Sequence, residues 1–131
     1  MKWNIVFLLS LFGIGMGIAS LFGLTEKIEI YEWILIALLS AYFLSKQTTH
    51  KVFLHGVYSG IAMGILFAVI QISFFGMYLE NNPSALPAFR LAIGDFNPQL
   101  FVLLLSPVVG GVYGLVIGGL SVAAGKFHIP K

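Results

Sequence analysis

"HGVYSGIAMGILF", residues 55 to 67, sets glycine at positions 56, 60 and 64 and carries no charged residue after its histidine. Glycine costs about 1 kcal/mol relative to alanine inside a helix, so three of them in one apolar run call for a compensating use. A lipid bilayer supplies one: where a side chain is missing, two helix backbones can touch. The stretch therefore predicts a membrane-spanning helix with one close-packing face, built on GxxxG spacing.

Composition extends that reading to the whole chain. Of 131 residues 59% are hydrophobic and 9% charged, against roughly 45–50% and about 25% in soluble domains. With 12 Phe and a mean hydropathy of +0.99, too few polar side chains remain to coat a soluble fold. The seven Lys and Arg are scattered and the net charge is +2, which argues against a nucleic-acid footprint. Cysteine is absent, excluding disulfides, thiolate metal centres and cysteine nucleophiles, and leaving the compartment open.

A crossing takes about 20 largely apolar residues, each rising 1.5 Å through roughly 30 Å of hydrocarbon. Four segments are expected to cross, at about 3–24, 28–45, 52–79 and 100–124, forming an all-α antiparallel four-helix bundle in a single domain of residues 1–131. The second is the weakest. Trp33 to Ser45 falls short of a crossing and must recruit Ile28 to Glu32, with Glu29 and Glu32 at the interface. The first is read as a retained span, because its apolar run exceeds the roughly 7–15 residues of a cleaved signal core. Asn81, Asn82 and Pro83 end the third span, and Asn97 and Pro98 supply the cap and first residue of the fourth. Between them, "SALPAFRLAIGDF" brings Leu86, Phe89, Ile93 and Phe96 near one helical face, as a short outer interfacial helix or a hydrophobic loop resting on the bundle.

Four crossings put Lys2, Lys46, Lys51, Lys126 and Lys131 on one side and Lys27 and Arg90 on the other. The basic majority marks the cytoplasmic side, so both termini are expected there, in a multi-pass protein of the cell (inner) membrane. Trp3, Trp33 and Tyr78 fall near predicted interfaces, as aromatic anchors do.

Each residue advances about 100° around a helix, so Gly56, Gly60 and Gly64 drift through only about 80°. By the same arithmetic Pro107, Gly110, Gly114, Gly118 and Ser121 share a face of the fourth span; Ser10, Gly13, Gly17 and Ser20 do so in the first, and Ala37, Ala41 and Ser45 in the second. Acyl chains are as apolar as leucine, so helices in lipid associate through close contact and interhelical hydrogen bonds. The small-residue faces are expected to be seams within the chain, with one left for a second copy or another membrane protein. "GVYS" at Gly56 recurs as "GVYG" at Gly111. Shared packing or coincidence explains the echo more simply than the inverted repeat of a transporter.

Polar residues within the spans are few. His55 is expected to bond a neighbouring carbonyl or snorkel to the interface, with proton sensing as the alternative. Gln71 falls within the angular range of the glycine face and calls for a cross-helix hydrogen bond. Pro107 frees the carbonyl of Leu103 and predicts a kink that Ser106 helps to accommodate. Glu26, Glu29 and Glu32 suit the N-terminal end of the second helix by charge–dipole attraction, or else attract cations. No metal-ligand spacing, nucleophile elbow or phosphate-binding loop occurs, so neither enzyme activity nor a cofactor or metal is expected. The role expected is that of a structural or accessory membrane protein, partnered by the bilayer and by a second copy or another membrane protein, without nucleic acid. The alternative is a subunit of an oligomeric channel or small-solute transporter, its path lined by Gln71, His55, Tyr58 and Tyr113.

Overall fold

A computed structural model describes residues 1–24 and 27–126; Glu26 of the acidic triplet and Lys131 of the basic side lie outside the described residues. Six helices carry the chain: α1 (Trp3–Leu21), α2 (Glu29–Gln47), α3 (Val52–Ser73), α4 (Phe75–Asn81), α5 (Ala85–Ile93) and α6 (Pro98–Lys126). Three of them, α1, α3 and α6, are long and apolar enough to cross a membrane, which sets the protein in the helical membrane class. The second expected crossing differs. Its helix α2 has 19 residues, about 28 Å of rise, but Glu29, Glu32 and Lys46 fall within that length and reduce its apolar character.

Helix ends differ from the expected boundaries for local reasons. The first helix stops at Leu21 and not Leu24, because Gly23 turns into the left-handed region at φ 74°. There the amide of Gly23 bonds the Ser20 carbonyl and that of Leu24 the Ala19 carbonyl, a Schellman cap. The expected span 52–79 is broken at Phe74, whose φ of −126° and ψ of 42° leave the helix between α3 and α4. Two long-range ties accompany the break. Gln99 Nε2 donates to the Ile72 carbonyl at 3.2 Å, and α4 carries Asn81 and Asn82 to the end of α1. Asn81 Nδ2 donates to the Leu21 carbonyl at 2.7 Å, and the buried Asn82 Nδ2 to those of Ser20 and Tyr78 at 2.7 and 2.8 Å. Helix α6 opens on Pro98, with Asn97 Oδ1 accepting from the amides of Gln99 and Leu100. Helix α5 sets Leu86, Phe89 and Ile93 half-buried and leaves Leu91 exposed; Phe96, past its end, is exposed too.

Helix α3 sits at the centre. Its interface with α6 is the most extensive in the molecule, followed by that with α1, while α2 packs chiefly on α6. Gly56 lies against Gly118, Gly60 against Gly114 and Gly64 against Gly110, so α3 and α6 run in opposite directions. A Cβ on Gly64 would fall 2.9 Å from Gly110 Cα, and one on Gly110 would fall 2.8 Å from the Gly60 carbonyl oxygen. Those neighbours are backbone, which no change of rotamer can move aside. On the other flank Gly13 abuts the backbone of Met63, and a Cβ on Gly17 would lie 2.8 Å from Ile70 Cβ, so α1 and α3 run the same way.

The distribution of side chains inverts that of a soluble protein. Serines 10, 20, 40, 59, 106 and 121 are buried together with Ala37 and Ala41, whereas Phe7, Leu104 and Val108 face outward. Three large side chains, Leu44, Met63 and Ile117, are fully enclosed and belong to a core drawn from all four long helices.

Pro107 does not join the seam. It is exposed, and the buried Ser106 takes the place expected for it, its carbonyl oxygen facing Gly64. Pro107 lies within a helix that continues on both sides. Ser106 Oγ donates to the Leu103 carbonyl at 2.8 Å, the group that the proline leaves without its helical donor.

Candidate functional site

The four polar residues expected to line a path lie in separate settings. His55 is 1% exposed at the start of α3, where it joins two helix ends. Its Nδ1 lies 2.8 Å from the Lys51 carbonyl and so carries the proton, leaving Nε2 to accept from the Lys2 backbone N–H at 3.0 Å. Lys2 Nζ in turn donates to the Gln47 carbonyl at 2.7 Å, so the starts of α1 and α3 and the end of α2 are held together. Tyr58 is exposed and its ring packs beside Trp3 at 5.4 Å. Tyr113 points elsewhere and donates its hydroxyl to the Trp33 carbonyl. Gln71 is buried, but its amide makes no hydrogen bond to a described residue, so the expected cross-helix bond is not formed. The two "GVY" copies also differ: Gly56 meets the α6 backbone, whereas a Cβ on Gly111 would come within 4.0 Å of Ile61 Cγ1 alone.

The structure brings together a different set. A cleft of about 370 Å³ opens between α2, α3 and α6, within the range of roughly 300–1,000 Å³ common to small-ligand sites. Gly60, Gly64 and Gly110 lie along it, so the backbone of the α3–α6 seam forms part of its surface. Val102, Leu105 and Val109 of α6 form one wall; Trp33, Phe67 and Tyr113 contribute aromatic surface. Trp33 stands edge-on to Phe67 at 5.5 Å and to Tyr113 at 5.1 Å. Such edge-to-face arrangements align the positive rim of one ring with the negative face of the next. Among the described residues Glu29 is the one charged member of the lining, and its Oε1 accepts from Trp33 Nε1 at 3.2 Å.

Glu29 and Trp33 carry a sequence signal, since residues four apart share a helix face. Phe67 carries none, because its part depends on how α2 and α6 meet α3. Two further hollows flank the bundle. An apolar groove of about 540 Å³ runs between α1 and α2 beside Leu8, Phe12, Leu39 and Phe43. A more polar one of about 570 Å³ lies between the α2–α3 turn and the end of α6, beside Lys51, Lys126, Thr48 and Thr49. Among the described residues no cluster of three or more His, Asp or Glu is placed to hold a metal ion. No protein-family model, curated protein or solved structure matches this chain.

Proposed function

We propose that the chain crosses the inner membrane four times, with α2 as the remaining span, as an antiparallel bundle with both termini in the cytoplasm. Its role in this reading is that of a structural or accessory protein and not a conduit or an enzyme. Lys2 supports the arrangement by tying the starts of α1 and α3 to the end of α2, at the end of the bundle that also carries Lys46 and Lys51. The basic side chains cluster as the positive-inside rule requires of a cytoplasmic face.

One observation carries the functional reading. Where α3 and α6 meet, Gly56, Gly60 and Gly64 press on Gly118, Gly114 and Gly110 backbone to backbone, leaving no room for a polar path along that interface. Of the four polar residues that a path would use, His55 and Tyr113 are bonded locally, Tyr58 is exposed, and Gln71 is buried more than three helical turns from Tyr58 along α3. Partners would then dock on the lipid-facing surfaces, as a second copy or another membrane protein.

Purified protein in liposomes tests this directly with ion and small neutral solute fluxes. The expected result is flux at the level of protein-free vesicles, unchanged by Gln71→Leu. Robust flux abolished by that substitution would replace this reading with the channel subunit.

A further inference from the structure

We propose that the cleft between α2, α3 and α6 is a lipid site, taking a phospholipid with a primary-amine headgroup: the ammonium sits on Glu29 and one acyl chain lies along the glycine floor. The inference rests on the chain lying in a bilayer, not on its accessory role.

Shape selects the chain. Along α6 the lining runs from Val102 to Tyr113, a rise of about 16 Å at 1.5 Å per residue. That is roughly half of a 30 Å hydrocarbon core, the depth of one leaflet. Over this length the lining offers hardly any free polar group: Ser106 Oγ is spent on the Leu103 carbonyl and the Tyr113 hydroxyl on that of Trp33. Valine, leucine and aromatic surface opposite a floor of bare glycine backbone suits a flexible methylene chain.

Charge selects the headgroup. Glu29, in the first turn of α2, supplies the carboxylate of the lining, and the partner seen on its Oε1 is the neutral indole N–H of Trp33. One turn further on and outside the lining, Glu32 Oε1 is buried with no hydrogen-bond partner among the described residues. A carboxylate beside an apolar wall, as Glu29 is, carries a desolvation cost that a cation offsets. A primary ammonium brings a positive charge and three N–H donors. A trimethylammonium brings the charge without donors, and an anionic headgroup is repelled. Phosphatidylethanolamine meets both demands.

The site contains its own reporter. The chain has two Trp, so Trp3→Phe leaves Trp33, in the cleft wall, as the only indole. This variant is reconstituted in vesicles of phosphatidylcholine and phosphatidylglycerol, and lipids with brominated acyl chains, which quench indole fluorescence on contact, are titrated in with ethanolamine, choline or glycerol headgroups. Half-maximal quenching is expected at about fivefold lower mole fraction for the ethanolamine lipid than for the choline lipid, equivalent to about 1 kcal/mol. Adding Glu29→Gln should erase that preference while quenching persists. Adding Val109→Phe, at a wall position that is 56% exposed and so tolerant of bulk, should weaken quenching by all three lipids. Equal quenching by the three lipids with Glu29 intact, a preference that survives Glu29→Gln, or a Trp33 shielded from every lipid by a second copy would each overturn the proposal.

Discussion

Gly60→Val is expected to separate α3 from α6 and to lower stability by about 3 kcal/mol or more, whereas Gly119→Ala leaves the protein as stable or slightly more so. Both positions are glycines in apolar helices, and only their surroundings differ. A Cβ on Gly60 would meet Gly114 Cα and N and the Gly110 carbonyl oxygen, all backbone. Overpacking of a filled site costs about 1–3 kcal/mol when side chains can adjust. Here they cannot, so the helix axes must part and contact is lost along the whole seam. Around Gly119 and Gly15 a Cβ would meet nothing within 4 Å, and alanine there gains up to about 1 kcal/mol of helix propensity. Denaturant titration in mixed micelles, followed by circular dichroism, ranks the variants. Equal loss at Gly60 and Gly119 would mean that the seam is not where the stability lies.

Met63→Ala should cost about 2–4 kcal/mol, and Leu104→Ala nearly nothing. Met63 is completely enclosed, in the core cluster with Leu44 and Ile117; truncating such a side chain leaves a cavity that the surrounding helices only partly close. Leu104 is 61% exposed, and in a bilayer it exchanges contact with lipid for contact with lipid. In water each truncation would also forfeit hydrophobic burial gained on folding; in lipid the difference comes from packing alone. The same titration reads both variants, and comparable losses would contradict the assignment of inward and outward faces.

The helical membrane class is legible in composition, because so few charged residues are spread over so many apolar ones. The glycine spacing of α3 also names a face, since four residues advance a helix by little more than one turn. Which helix meets that face is not written there; the pairing depends on connections and on the other faces. Pro107 illustrates the limit. Steps of four from Gly118 and Gly114 lead through Gly110 to Ser106, while the three-residue step to Pro107 rotates by about 60° and leaves the seam. The break at Phe74 has no proline beside it, and the nearby Gly76 sits inside α4; its accompanying bonds join Gln99 to Ile72, Asn81 to Leu21 and Asn82 to Ser20, pairs far apart in the sequence. Gly23, by contrast, is a helix stop that the sequence does carry, a glycine just past the last helical turn. The cleft was invisible for a further reason: its walls come from three helices, and no periodicity within one of them records a space left between all three.

The close approach of α3 and α6 is open to a direct measurement, because the native chain has no cysteine. A Cβ built on Gly111 lies 4.0 Å from Ile61 Cγ1, a separation from which two sulfurs can reach bonding distance. Ile61→Cys with Gly111→Cys, oxidised in membranes and assayed by protection from a thiol-reactive polyethylene glycol, should close rapidly into a disulfide within one chain. Ile61→Cys with the outward-facing Val108→Cys should stay reactive at both thiols. Efficient closure of the second pair, or disulfides formed between chains by the first, would contradict a seam in which these two backbones touch.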